Sequence, residues 1–149
     1  MSVIRLTKEF HFEMAHALLG YHGKCKNIHG HSYELKVTLI GRVKNGTNDS
    51  DEGMLMDFGV LKEIVNRKII KPFDHSLVIN NKMNMDTGIG EGFEQLKLVP
   101  FQPTCENLLI HFAGLIIPEL PKECSLHHLL LRETATSYAE WWAEDNQVD

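Results

Sequence analysis

Alternating apolar and polar residues mark two long strands in the first third of the chain. Residues 4–14 place their apolar side chains on one parity and their polar side chains on the other, and residues 33–43 repeat the pattern. Side chains on a strand point alternately to its two faces, so each segment predicts a strand with one face in the core. The inward positions are Ile4, Leu6, Phe10, Phe12 and Met14 in the first strand, and Tyr33, Leu35, Val37, Leu39 and Val43 in the second.

Helical spacing of apolar residues predicts two amphipathic helices in the middle of the chain. The first covers Phe58 to Ile70, with Asp57 as its N-cap and Pro72 just after its end. The second follows Thr104, which resembles an N-cap, and ends by Pro118. Both helices are expected to cover one face of the sheet.

The remainder of the chain predicts two further strands and one long loop. Leu126 to Thr134 alternates as a third strand, and Tyr138 to Trp142 forms a short fourth strand whose tryptophans are more simply core or interface anchors than functional groups. Asn80 to Glu94 lacks clean periodicity and predicts a loop, a place for mobility or subunit contacts. The order strand, strand, helix, helix, strand, strand predicts an α+β fold in one domain, residues 1–149.

Three histidines lie on the core-facing parity of the first two strands. His29 and His31 are two residues apart and therefore point to the same face of a strand. His16 continues the inward parity of the first strand, provided that this strand has no bulge. Three imidazoles leave one position of a tetrahedral zinc open for water or substrate, as in catalytic zinc sites. The pattern predicts a zinc site here, although such histidine pairs also arise by chance.

Cys25 precedes the histidine pair by four residues and has two interpretations. A single cysteine is usually a small buried apolar residue. Beside a metal ion, the same side chain could act as a thiolate base or nucleophile. The other cysteines, Cys105 and Cys124, give an odd total without a Cys-x-x-Cys pair, which favours reduced thiols over a disulfide framework.

Three further sites carry carboxylates that could serve chemistry or structure. Asp74-His75 follows the first helix, either as a solvated turn pair or as a proton relay in which the carboxylate raises the basicity of the imidazole. Glu106 lies in the first turn of the second helix, where the helix dipole favours a carboxylate without any ligand. Glu133 shares a strand face with two leucines. It therefore lies at the rim of the core or binds a cationic or multi-donor ligand.

Composition limits the class of protein. The 149 residues and a net charge of -5 are those of an ordinary soluble domain, which argues against a general nucleic-acid binder. Neither a signal peptide nor a membrane-spanning stretch is visible, so a cytoplasmic location without a membrane partner is expected.

The order of these motifs resembles that of the 6-pyruvoyl-tetrahydropterin synthase family, from about Phe10 to Glu133. The four-residue step from Cys25 to His29 is typical of its bacterial 6-carboxy-tetrahydropterin synthase branch. The matching segments are Phe12-Glu13-Met14-Ala15-His16, Cys25-x-x-x-His29-Gly30-His31, Asp74-His75, Pro103-Thr104-Cys105-Glu106-Asn107 and Arg132-Glu133-Thr134.

The resemblance implies a role for each matching residue and a particular fold. The implied zinc ligands are His16, His29 and His31, the catalytic residues Cys25, Asp74 and His75, and the pterin-binding residues Glu133, Thr104 and Glu106. The implied fold is the tunnelling fold (T-fold), expected here as a four-stranded antiparallel sheet with two helices on one face. Its trimers close a barrel and pair into hexamers, with sites between subunits.

The family also implies a reaction. Its members bind 7,8-dihydroneopterin triphosphate, and the bacterial branch forms 6-carboxy-5,6,7,8-tetrahydropterin with release of acetaldehyde and triphosphate, on the route to queuosine. This zinc-dependent carbon–carbon lyase activity is the expectation, with a 6-pyruvoyl-tetrahydropterin synthase or a non-catalytic zinc-stabilised scaffold as alternatives. A long loop between His75 and Thr104 and the tail at Trp141-Trp142 depart from the family pattern.

Overall fold

The computed structural model describes residues 2–88 and 91–146 and places six strands of that part of the chain in one mixed sheet. They are β1 (Ile4–His16), β2 (His29–Gly41), β3 (Ser76–Asn80), β4 (Leu96–Val99), β5 (Cys124–Thr134) and β6 (Ser137–Trp142). Their spatial order is β4-β3-β1-β2-β5-β6. The pairs β1–β2, β2–β5 and β5–β6 are antiparallel, whereas β3 runs parallel to both β1 and β4.

The predicted sheet was right in its four antiparallel strands but incomplete at one edge. Those four strands are β1, β2, β5 and β6, and β3 and β4 extend the sheet beyond β1. β3 consists of a buried apolar run with a polar residue at each end, and β4 has only four residues. Segments this short show too few alternations to be distinguished from buried loop or helix by pattern alone.

The first helix is longer than its apolar pattern predicts. α1 (Phe58–Val65) continues through a π-helical turn, Asn66–Ile70, into the short α2 (Lys71–Phe73). Pro72 therefore lies inside this helical segment and not after it. In a regular α-helix the proline ring would clash with the carbonyl four residues earlier, and the wider π turn relieves that crowding.

The prediction of a loop over residues 80–94 was wrong in its first half. Residues 81–87 form α3 (Asn81–Thr87), whose N-cap Asn80 accepts a hydrogen bond from the Lys82 N–H at 2.8 Å. Gly88 ends the helix in the left-handed conformation, with φ of 62°. The helix between these caps has seven residues and is too short to show a clear apolar periodicity in the sequence. Residues 89 and 90 lie outside the described part of the chain.

The main core lies between the sheet and the helices α1 and α4 (Cys105–Ile116). Phe12 and Tyr33 stack in it at 5.1 Å between ring centroids, and Phe112 of α4 packs edge-on against Phe12. Val78 of β3 joins this core, while its neighbours Leu77 and Ile79 join a second, smaller cluster on the other face of the sheet. The predicted alternation is confirmed from Phe10 to Met14 in β1 and from Tyr33 to Leu39 in β2, whereas Ile4 is exposed and Val43 lies beyond the end of β2. The inward parity of both strands leads to the histidines.

No helix in the described ranges is long and apolar enough to cross a bilayer.

Asp57 fixes the start of α1, and its removal should be measurable. Its carboxylate accepts a hydrogen bond from the Gly59 N–H at 2.6 Å. We expect Asp57→Ala to lower the free energy of unfolding in urea by about 1 kcal/mol, the usual value of an N-cap. Asp49→Ala, in an exposed turn, is the control and should change little. Equal losses in both variants would contradict the capping role.

Candidate metal centre and active site

The antiparallel pairing of β1 and β2 brings three imidazoles together at one end of the core. His16 pairs directly with His29, and Met14 pairs with His31. One ligand atom from each of the three histidines lies within 4.8 Å of the others, and the Nε2 atoms of His16 and His29 are 3.0 Å apart. The predicted parity thus delivers all three side chains to one point.

Backbone carbonyls fix the orientation of two of these rings. His16 Nδ1 lies 2.7 Å from the Pro103 carbonyl oxygen, and His29 Nδ1 lies 2.8 Å from the Asn27 carbonyl oxygen. A carbonyl only accepts, so each Nδ1 carries the proton and donates it, which leaves the Nε2 lone pair as an acceptor or metal ligand. Hydrogen bonds of this kind are typical of metal-binding histidines.

Two facing lone pairs and one buried unpaired nitrogen indicate that the cluster suits a cation. The Nε2 lone pairs of His16 and His29 point at each other at 3.0 Å, and His31 Nε2 is buried without a hydrogen-bond partner among the described residues. Burial lowers the pKa of both His16 and His31, which favours their neutral forms. Three imidazoles are a donor set that zinc accepts. The residues present therefore fit zinc.

Glu133 lies beside this cluster, which neither of its predicted placements specified. Its Oε1 atom is 3.6 Å from His16 Nε2 and 3.8 Å from His31 Nε2, and its side chain is 25% exposed. The same oxygen accepts a hydrogen bond from the Tyr33 hydroxyl at 3.2 Å. Burial and the Glu133 charge raise the pKa of Tyr33, so its hydroxyl stays protonated and can donate.

Tyr33 is a site residue that the sequence analysis treated only as core. The one available signal was its parity, since it lies two residues after His31 on the same face of β2. Its hydrogen-bond partner is 100 residues away in the chain, so no local pattern could reveal the contact.

Asp74 and His75 form a pair whose geometry depends on β1. His75 Nδ1 lies 3.0 Å from Asp74 Oδ1, and the same oxygen accepts the Glu13 N–H at 2.9 Å. The His75 N–H donates to the Glu13 carbonyl at 2.6 Å, and His75 adopts a positive φ of 57°. These two hydrogen bonds to the Glu13 backbone hold the turn against β1. The imidazole of His75 itself is 74% exposed.

The Asp74 contacts predict a pH-dependent stability. Chiefly the Glu13 N–H, and then His75, hold the pKa of Asp74 below its ordinary value of 3.8. Folding therefore favours the carboxylate, whose contribution is present above the unfolded pKa and is lost as the pH falls through the folded pKa. We expect Asp74→Asn to be less stable than the native chain at about pH 7 and the gap to narrow near pH 3, in urea unfolding. A gap that is independent of pH would contradict this account.

Cys25 occupies the middle of a single 3₁₀ turn, Lys24–Lys26, which precedes His29 and His31 in the sequence. Its carbonyl accepts the Leu18 N–H at 2.9 Å, which ties the turn to the residues after β1. A cavity of about 450 Å³ is lined by both His31 and His75. Neither Cys25 nor Asp74 is among the described residues that line it.

Thr104 caps helix α4, and Glu106 lies in its first turn. The Thr104 hydroxyl accepts the Asn107 N–H at 3.2 Å, which confirms the predicted N-cap. Glu106 is exposed in the first turn and shares a cavity of about 130 Å³ with Glu133 and Cys105. Burial raises the pKa of Cys105 to about 12, so this thiol remains neutral. The structure places Glu106 and Glu133 at the same cavity, as a shared ligand pocket requires.

Comparison with known proteins identifies the same family as the order of the sequence motifs. The sequence matches the family described as 6-pyruvoyl tetrahydropterin synthase over residues 5–144. A Haemophilus influenzae protein named 6-carboxy-5,6,7,8-tetrahydropterin synthase is 34% identical over 146 residues, covering 93% of this chain and 99% of the relative. A Synechocystis protein of the same name is 33% identical over 138 residues, covering 91% of each chain.

Solved structures share the architecture. The 6-pyruvoyl tetrahydropterin synthase of Caenorhabditis elegans matches with a TM-score of 0.69 at 22% identity, over 95% of this chain and 96% of that one. An uncharacterized protein from Wolinella succinogenes matches with a TM-score of 0.72 at 19% identity, over 95% and 99% of the two chains. These likenesses confirm the predicted T-fold. Together with the sequence match, they show that this chain belongs to the 6-pyruvoyl tetrahydropterin synthase family.

Proposed function

We propose that this protein is a zinc-dependent lyase that converts 7,8-dihydroneopterin triphosphate and one water molecule to 6-carboxy-5,6,7,8-tetrahydropterin, acetaldehyde and triphosphate. The observation that carries the proposal is the convergence of one ring nitrogen from each of His16, His29 and His31 within 4.8 Å of one another. The choice of reaction rests on the relatives of that name at 33–34% identity, which match more than nine tenths of the chain.

The three histidines would hold the zinc ion through their Nε2 atoms. When bound, zinc supplies a Lewis acid that makes the C–H and O–H bonds next to the hydroxyl groups of the substrate side chain more acidic. The protein must then supply groups that move the protons.

Cys25 and His75 are the groups proposed to move protons. As a thiolate, Cys25 would take a proton from the substrate side chain, and His75 would donate or accept a second proton at Nε2. Asp74 supports this role, because its carboxylate 3.0 Å from His75 Nδ1 fixes the proton on that nitrogen. The exposed Nε2 is thereby left to exchange a proton with the ligand.

Glu133 is proposed to anchor the pterin, with Thr104 and Glu106 lining its pocket. The aminopyrimidine edge of a pterin presents two parallel N–H donors, much like a guanidinium, and one carboxylate can accept both. The cavity shared by Glu133 and Glu106 supports this assignment.

A homo-oligomer, trimer or hexamer, with active sites between subunits follows from the same proposal. The 74% exposed imidazole of His75 supports it, because a second copy of the chain could pack against this side chain and enclose the site.

The test is incubation of the zinc-loaded protein with 7,8-dihydroneopterin triphosphate. We expect acetaldehyde and triphosphate in equal amounts, together with 6-carboxy-5,6,7,8-tetrahydropterin. Loss of triphosphate with a pyruvoyl product and no acetaldehyde would favour a 6-pyruvoyl-tetrahydropterin synthase, the activity in the name of the Caenorhabditis elegans protein. Binding without any turnover would favour a non-catalytic scaffold.

A further inference from the structure

One carboxylate oxygen of Glu133 lies close to two of the three imidazoles. Its Oε1 atom lies 3.6 Å from His16 Nε2 and 3.8 Å from His31 Nε2. Because the Nδ1 proton of His16 is donated to the Pro103 carbonyl, its Nε2 carries a lone pair and cannot donate to the carboxylate. A carboxylate facing an imidazole lone pair is repelled unless a cation lies between them. Glu133 is therefore placed where it could share a cation with His16 and His31.

The fold aims Glu133 at this position. The pairing of β5 with β6 is irregular between Arg132 and Thr134, and such an irregularity re-aims the side chain within it. The Tyr33 hydroxyl donates to Oε1 at 3.2 Å, and Tyr33 is fully buried and stacked on Phe12. Since the tyrosine ring is fixed, its hydroxyl is a rigid donor that holds one carboxylate oxygen near the imidazoles.

Glu133 also lines two cavities. One, of about 430 Å³, is lined by His31 and Glu133 together with Glu34 and Arg132. The other, of about 130 Å³, is lined by Glu133 with Cys105 and Glu106. The Glu133 carboxylate could therefore accept hydrogen bonds from a ligand in the smaller cavity, or face a cation at the histidines beside the larger cavity.

We propose that Glu133 is a displaceable member of the metal-binding group. In the pterin-free protein its carboxylate joins the three imidazoles at the cation, and the N–H donors of a bound pterin draw it away and open that position to the substrate side chain. The identity of the displacing ligand rests on the proposed function. The open coordination position would then exist only when substrate is present.

The test uses the full-length protein loaded with Co²⁺, whose visible absorption bands report the ligands of the metal. We expect Glu133→Gln to shift these bands in the pterin-free protein. Saturation with unsubstituted pterin should move the native bands to those of the variant and leave the variant unchanged. Chelator competition should also show a loss of zinc affinity of about 10-fold or more in Glu133→Gln, in the range seen for changes around metal ligands.

Glu34→Gln is the matched control. Glu34 lines the same cavity, but its carboxylate pairs with Arg132 at 3.4 Å, so the control should keep native bands and native zinc affinity. Glutamine is nearly the same size as glutamate and still accepts the Tyr33 hydrogen bond, so the test variant should fold.

Identical bands for the native protein and Glu133→Gln would overturn the inference, and so would native bands that saturating pterin does not move. Either result combined with turnover of dihydroneopterin triphosphate would leave the proposed function intact. Shifted bands in a protein without turnover would instead retain Glu133 at the metal and refute the proposed function.

Discussion

Replacing Cys25 with alanine is expected to lower kcat for dihydroneopterin triphosphate by about 10²–10⁴-fold, the usual effect of removing a group that transfers a proton in the transition state. The bound zinc should remain, because the three predicted ligands are histidines. Zinc content by elemental analysis and turnover by acetaldehyde release measure the two effects separately. The expected pattern is therefore a fully metallated but inactive protein.

The control for this variant is Cys124→Ala. Cys124 is a buried thiol at the start of β5, within the main core and apart from the predicted catalytic residues, so its variant should retain turnover. Unchanged turnover in Cys25→Ala would refute the catalytic role of Cys25 and leave the metal site standing. Loss of zinc from that variant would instead make Cys25 a ligand.

The second large effect is expected from His29→Ala. His29 contributes one of the three converging Nε2 atoms, so its removal should lower zinc affinity by more than about 100-fold, since even the hydrogen-bond partners of metal ligands are worth about 10–100-fold. Turnover should fall with the zinc content. His29 is partly exposed, so its replacement should leave the fold intact.

His11→Ala provides the matched control. His11 lies on the outward, exposed side of β1, on the opposite parity from His16, and should affect neither zinc binding nor turnover. Zinc affinity that survives His29→Ala would contradict a three-histidine centre.

The convergence of the three histidines could be predicted from the sequence because period-two alternation determines which face a strand residue occupies. His16, His29 and His31 each share the parity of buried apolar neighbours, and the pairing of β1 with β2 then brings them together. No knowledge of distant contacts was needed beyond the pairing of two neighbouring strands.

Other parts of the site depend on contacts that no local pattern contains. Glu133 is directed by an irregularity in the pairing of β5 with β6 and by a hydroxyl donor 100 residues away. The conformation of the Asp74-His75 pair depends on two hydrogen bonds to the backbone of Glu13. Its role remains a prediction, as do the roles of Cys25, Thr104 and Glu106.

The edge strands and the π-helical turn escaped prediction for related physical reasons. β4 is too short to display alternation, and among the described residues its one strand neighbour is β3, to which it pairs in parallel. Pro72 normally ends a helix, and only the widened turn before it allows the helical segment to reach Phe73.

The most direct test of the central claim is X-ray absorption spectroscopy of the zinc-loaded protein, with the zinc content measured on the same sample. The account predicts one zinc per chain surrounded by nitrogen and oxygen donors at about 2.0–2.2 Å, with the imidazole scattering of several histidines. A sulfur donor at about 2.3 Å, or a chain that binds no zinc while His16, His29 and His31 are all intact, would contradict it.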